Sequence, residues 1–413
     1  MNKMPRLLYL CAAFLLGSSL FAAEAEMDEN DIQVLREWIN TKRQVTVKEL
    51  GGALSISGEV RTEFQRSREK RNGKEQRGTR SNCQLPNQAF DVEVNLMVDY
   101  RQDRTWAAVK WEFDNDAGAI SGTFNRLKLE RAYFGLRAIA ADTCTVDVEI
   151  GRRRIGTILD SKLEFDSFFD GIFLKYDQHL EMIGDAYVHV GVFLVDEHHN
   201  HYAYLGEIGV LNAGNTGFYS KYSLIDWDTK HYRKSFKEDR FEFLVSQLIV
   251  GYRFQPSRWT KGAIVYLAGL YNHAARKLPI TGHRRANFGG YLGFTLGELK
   301  KRNDWSLDAN YQVLAAQCVP DFDVSGVGLG NACKSGFYFN RVKQANGKEK
   351  DEATDRRTAG GNVNFRGYAI SLDYLLTNNL DIQQSWQQAI TLWDTIGPFR
   401  RFHQYELELI YAF

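Results

Sequence analysis

The chain has 413 residues, with 52 Lys and Arg against 51 Asp and Glu, and a net charge near zero gives no reason to expect a nucleic-acid partner. Mean hydropathy is −0.39, and beyond the N-terminal segment no run approaches the ~18–20 consecutive apolar residues of a membrane helix. With Gly at 35, Pro at 6, 20 Tyr and 26 Phe, any membrane insertion of the mature chain has to be by a closed barrel of strands, the other structure that satisfies its backbone in lipid.

The N-terminus has the form of a secretory signal peptide. Lys3 and Arg6 precede an apolar run from Leu7 to Leu16, and Ala23 and Ala25 frame an A-x-A site, so residues 1–25 are expected to be removed. Cys11 lies inside the apolar run, and the "LYL" before it lacks the small residues of a lipoprotein site. Residues 26–52 follow. There Ile32, Leu35, Trp38 and Ile39 recur at helical spacing, acids at the front and bases at the back, which predicts a short amphipathic helix on the periplasmic side.

From residue 53 the period becomes two. In "LSISGEVRTEF", Leu54, Ile56, Val60 and Phe64 oppose Ser55, Ser57, Glu59, Arg61 and Glu63. In "FDVEVNLMVDY", Phe90, Val92, Val94, Leu96 and Val98 oppose Asp91, Glu93, Asn95 and Asp99. One apolar face and one charged face, repeated on long strands, suits lipid outside and water inside. The pattern predicts an all-β, antiparallel up-and-down transmembrane barrel over residues 53–413. Its sixteen strands fall near 53–66, 89–102, 105–115, 124–139, 143–153, 168–177, 183–195, 202–212, 216–227, 240–254, 259–272, 285–299, 303–314, 363–376, 379–391 and 400–413. The sixth, eighth, tenth and fifteenth alternate weakly. Long and short connections alternate throughout, the longest covering 315–362, as expected when external loops are long and periplasmic turns tight.

The chain ends on "YELELIYAF". Tyr405, Leu407, Leu409, Tyr411 and Phe413 share one face, expected toward lipid, while Glu406 and Glu408 point into the lumen. Four cysteines remain after the signal segment, too few for a disulfide framework. Cys318 and Cys333 share one loop, and a disulfide between them and two free thiols are both compatible with the sequence. "DEHHNH" places His198, His199 and His201 beside Asp196 and Glu197, but on an external turn where polar residues are the default; no metal site is expected. "GVGLGNACKSG", Gly326 to Gly336, lacks the Gly-Lys-Ser/Thr run of a phosphate loop. No nucleophile motif or cofactor signature is found, so no enzyme activity and no cofactor are expected.

Two segments carry a resemblance. "ERAYFGLRAIAADTCTVDVEIGRRR", Glu130 to Arg154, resembles the part of Gram-negative general porins where an aromatic-Gly-Leu strand, a tight turn and a strand ending in Gly-Arg lead into the loop that folds into the pore. "FDGIFLKYD", Phe169 to Asp177, resembles the strand leaving that loop, and the terminal Phe413 resembles the end signal read by the barrel-assembly machinery. The helical segment before the first strand and the 315–362 loop depart from the family pattern. The resemblance implies a homotrimeric outer-membrane diffusion channel in contact with lipid and lipopolysaccharide, with residues 154–167 as the constricting loop. Asp160, Glu164 and Asp166 would then face Arg61, Lys110 and Arg131 on the wall, with Arg152, Arg153 and Arg154 at the loop's base, and a transverse field between acids and bases would tune ion selectivity. A surface adhesin with a plugged lumen is the alternative.

Overall fold

A computed structural model describes residues 47–50, 54–78, 86–116, 125–197, 200–228, 242–255, 262–278, 281, 283–320, 322–330, 339–343, 349–353, 363–396 and 399–413. Sixteen of its strands form one closed antiparallel barrel. They are β1 (Leu54–Arg71), β2 (Gln88–Gln102), β3 (Thr105–Asp116), β4 (Asn125–Ala140), β5 (Cys144–Arg154), β6 (Phe168–Leu180), β7 (Gly184–Asp196) and β8 (His201–Ala213). The circuit continues with β9 (Phe218–Asp226), β10 (Leu244–Phe254), β11 (Ala263–Asn272), β12 (Phe288–Gly297), β13 (Trp305–Leu314), β14 (Phe365–Leu375), β15 (Leu380–Thr391) and β16 (Arg400–Ala412). Each pairs with the next, and β16 closes on β1 from Glu59↔Ala412 to Arg71↔Arg400. Among the described residues, no helix is long and apolar enough to cross a membrane, which says nothing of strands.

The count and order match the sequence pattern, with local differences. β1 continues past residue 66 to Arg71, then turns at Asn72 and Gly73, both at positive φ, into a return strand Lys74–Glu75. Val47–Leu50 is also extended and pairs with the start of β1. It lies at the end of the segment expected to be helical, where Val45 and Val47 alternate with polar residues in a strand pattern. Residues 1–46, including the signal segment and the expected helix, lie outside the described residues. In the 315–362 connection, Phe339–Lys343 and Glu349–Ala353 form a separate hairpin.

Alternation sets the two faces. Phe134, Leu136, Ile208, Leu267, Leu292 and Tyr411 are among the many large apolar side chains exposed on the outside. Apolar surface of this extent on a closed barrel is stabilised by lipid rather than water. On β16 the outer face carries Tyr405, Leu407, Leu409 and Tyr411, and the inner face Glu406 and Glu408. Phe413 exchanges both backbone hydrogen bonds with Gly58 at 2.9 Å. Its ring covers Gly58 so closely that a Cβ there would lie 2.6 Å from it.

Candidate functional site

The interior is divided into an apolar half and a polar half. Residues 155–167 leave β5, make one 3₁₀ turn over Ile155–Thr157, and cross the interior to β9, β10, β11 and β13. Ile155, Leu159, Leu163 and Phe165 are at most 2% exposed and join a cluster with Phe169, Phe173, Phe193, Ile225, Ile249 and Tyr291 from the inner faces of β6 to β12. Each fully buried side chain of this size contributes about 1.5–3 kcal/mol. That burial fixes the loop inside the barrel and not over its mouth. Its polar atoms are also met. Ser161 Oγ donates to Gln247 Oε1 at 2.7 Å, Gln247 Nε2 donates to the Asp160 carbonyl at 2.9 Å, and Lys162 Nζ lies 3.3 Å from Asp308.

A second segment, after β13, folds in beside it. Ala315, Ala316, Cys318, Val319, Val324 and Val327 are buried in the same cluster. The two loops form an antiparallel bridge at Glu164↔Val324, with Ser325 N–H donating to the Leu163 carbonyl at 2.9 Å and Asp166 N–H to the Asp323 carbonyl at 3.2 Å. The Asp323 carboxylate accepts from the Phe165 and Ser167 amides at 3.2 and 3.1 Å. It holds Phe165 at φ +81°, a conformation that costs roughly 1–3 kcal/mol when the surroundings do not enforce it. Gly326, at φ +84°, lets the backbones meet, since a Cβ there would lie 2.6 Å from the Lys162 carbonyl oxygen. Burial pushes the Glu164 carboxyl well above its usual range, and the nearby Asp323 adds to the effect. Burial also lifts Asp323 to about 7, against the hydrogen bonds from Ser167 and Phe165.

The polar half is the inner face of β1 to β5 and the lower part of β14 to β16, above which Phe365, Ala389 and Phe402 still belong to the apolar cluster. Arg61 contacts Glu59 and lies 3.8 Å from Glu93. Lys110 Nζ donates to Glu130 Oε2 at 2.8 Å, and Lys128 Nζ to Glu112 Oε1 at 2.5 Å. Arg153 pairs with Glu149 and stacks over Tyr133, 4.4 Å from the ring centroid; Lys175 reaches Glu149 at 2.8 Å. Arg131 is half-buried opposite Lys110 and interacts electrostatically with the Asp99 carboxylate. Glu63, Glu406 and Glu408 bring one oxygen each within 4.8 Å of one another.

The structure therefore places Arg61, Lys110, Arg131 and Arg153 together on one inner wall. The other expected site residues lie elsewhere. Arg152 pairs in register with Ala132 and Asp170 on the outer face, donates twice to Asp170 at 2.7 Å, and covers the Phe168 ring. Arg154 and Asp166 face each other at 3.5 Å. Asp160 is 3.3 Å from Lys221 on β9, and Glu164 is buried beneath the loop pair. The acids beside the wall cations, Glu59, Glu112, Glu130 and Glu149, are on the same strands, and Glu93 is on β2 between them. Alternation reveals most of them, but not Glu130. There a bulge between the Lys110↔Arg131 and Trp111↔Leu129 pairs lets Glu130 meet Lys110 although Arg131 is itself paired with it.

His201 is buried and bonds the Trp227 carbonyl through Nε2; His198 and His199 lie outside the described residues. Cys318 is buried and Cys144 half-buried, while Cys83 and Cys333 lie outside the described residues, so the choice between a Cys318–Cys333 disulfide and two free thiols does too.

The class these features define is a closed sixteen-stranded antiparallel barrel with two loops folded into one side of its interior. No family model and no curated protein matches the chain. Solved structures do. An engineered protein described for its asymmetric conductivity has a TM-score of 0.45 at 12% identity. Two multiply substituted forms of Rhodopseudomonas blastica porin have TM-scores of 0.44 at 12% identity and 0.46 at 11%. In each, the match covers 87% of this chain and 100% of the other.

Proposed function

We propose that the protein is a water-filled channel of a bacterial outer membrane for the passive diffusion of ions and small hydrophilic solutes. The observation that carries this reading is the charged inner crescent that the loops leave uncovered. Inside the barrel Arg61 keeps 17% and Glu93 26% side-chain exposure, while Glu59, Glu149 and Glu408 are buried within the charged network. A charged lumen wall beside an apolar outer face is costly unless water fills the space between its walls.

Selectivity in this reading belongs to the wall. Arg61, Lys110, Arg131 and Arg153 are interleaved there with Glu59, Glu63, Glu93, Glu112, Glu130, Glu149, Glu406 and Glu408. Of the loop acids, Asp160 and Asp166 are met by cations, and Glu164 is buried where the two loops meet. The same reading includes export by the N-terminal signal, assembly through the terminal aromatic strand, contact with lipopolysaccharide, a homotrimer, and a Cys318–Cys333 disulfide in an oxidising compartment. The adhesin alternative draws on the two inward loops, which fill much of the lumen. Purified protein in a planar bilayer separates the two: stepwise conductance supports the channel, and a correctly folded but silent barrel supports the adhesin.

A further inference from the structure

The outer face is mainly apolar, and its largest cluster of cations lies in one sector near the external end of β14, β15, β16 and β1. Register pairs define its rows. The uppermost runs Arg366–Ile390–Arg401–Lys70, the next Tyr368–Gln388–His403–Arg68, and the third Ile370–Trp386–Tyr405–Arg66. Below it the row is Leu372–Gln384–Leu407–Phe64. Five permanent cations thus occupy three rows, the lowest of which they share with Trp386 and Tyr405, and Phe64 lies in the row beneath. With strands ~4.8 Å apart and residues rising ~3.4 Å, the sector measures about 14 Å by 14 Å.

Among the described residues, only Glu75 answers this charge, 2.9 Å from Arg68 and 3.2 Å from Lys70. Arg66, Arg366 and Arg401 are exposed and have no carboxylate partner among the described residues. Other sectors differ. The outer cation Arg152 is neutralised by Asp170. On β7 to β13 the corresponding outer ends carry Leu194, Tyr204, Asp226, Tyr271 and Val313. Unpaired guanidinium groups just above an aromatic belt suit a ligand with anionic oxygens at headgroup height and hydrocarbon beneath. Guanidinium groups bind phosphate through paired donors, and aromatic side chains sit well at the interface.

We propose that this sector binds the phosphate groups of an anionic lipid in the external leaflet, with Arg66, Arg366 and Arg401 as the principal contacts and Trp386 and Tyr405 supporting the acyl chains. The proposal rests on the outer-membrane placement proposed above but not on conductance, because all of these residues lie outside the lumen.

The test uses the full-length barrel in phosphatidylcholine nanodiscs doped with bis-phosphorylated lipid A, and counts retained lipid A by native mass spectrometry. Each arginine replaced should weaken retention roughly fivefold, and Arg66→Gln, Arg366→Gln and Arg401→Gln together about a hundredfold, at ~1 kcal/mol per basic residue near an anionic surface. The matching lysine substitutions should restore most of it. Lipid A stripped of phosphate should bind the wild type as poorly as lipid A binds the glutamine variant, and millimolar inorganic phosphate should not compete. The heat-modifiable gel shift verifies that each variant is folded. Wild-type retention by the folded triple glutamine variant overturns the proposal. So does a variant that loses self-association while its lipid count is unchanged, which would make the sector a contact between copies.

Discussion

Asp323 holds Phe165 through a backbone hydrogen bond of 3.2 Å, although 157 residues and eight complete strands separate them in the chain. The same carboxylate takes the Ser167 amide at 3.1 Å, so one side chain fixes the exit of the inner loop. Asp323→Ala leaves two amides without their acceptor in buried surroundings and should destabilise the docked loop by roughly 2–5 kcal/mol. Single-channel conductance should become larger and noisier, and proteolysis near residue 165 faster. Conductance and cleavage like the wild type would mean that the apolar contacts alone dock the loop.

The loop pair should respond to pH in a defined direction. Glu164 and Asp323 are both held above their ordinary range, Asp323 at about 7, mainly by burial. The docked state thus binds protons that the released state gives up near pH 4. The resulting stabilisation is complete below about pH 4 and is lost as pH rises through about 7. Hydrogen exchange of the Phe165 and Ser167 amides, corrected for intrinsic rates, should show more protection at pH 5 than at pH 8. Equal protection would place the titration elsewhere.

Neutralising the wall should alter selectivity more than neutralising the loop. Glu63→Gln, Glu406→Gln and Glu408→Gln together remove negative charge from water-facing strands and should move the reversal potential in a KCl gradient toward anion preference. Asp160→Asn with Asp166→Asn should move it less, because Lys221 and Arg154 already meet those carboxylates. The opposite ranking would place the narrowest point at the loop.

At the seam, two substitutions separate a lipid-facing strand from a water-facing one. Leu409→Arg should cost about 2–4 kcal/mol at mid-bilayer depth and less near the interface. Deleting Phe413 removes both hydrogen bonds to Gly58 and the ring above it, so packing as well as the end signal is lost. Gly58→Ala disturbs the packing alone, with its Cβ 2.6 Å from the Phe413 ring and 2.8 Å from the Asn95 carbonyl oxygen, at a cost of about 1–3 kcal/mol. Outer-membrane fractions assayed by the heat-modifiable shift should show slower assembly for the deletion than for Gly58→Ala. Equal effects would leave the end signal with no role beyond packing.

The strands were legible because each must present one face to hydrocarbon, and that requirement is written at period two in single residues. Where alternation weakens, the structure supplies the cause. The inner positions of β6, β8 and β10 carry Phe169, Phe173, Ala203, Leu205, Val245 and Ile249 because they face the folded-in loops instead of water. β15 blurs for the opposite reason, with Gln384 and Gln388 on its outer face. The inward path of residues 315–330 was not legible. Its Ala and Val residues match any buried loop, and its partner Asp323 carries no local signature. Arg152 was misleading in the same way, since three consecutive arginines on a strand cannot all point inward.

The clasp between residues 163–167 and 322–325 is a chord across the arc from β6 to β13. Those eight strands and their filling form a ring of their own, closed by loop contacts and independent of the β1–β16 edge. Such an arc has a hydrophobic interior to hold its curvature, which reaches on to Phe365, Ala389 and Phe402 at the near ends of β14 to β16, whereas β1 to β5 rely mainly on their ladders and charge pairs. Unzipping at the edge would therefore open the crescent and leave the arc curled, making the last join of the circle also its weakest link.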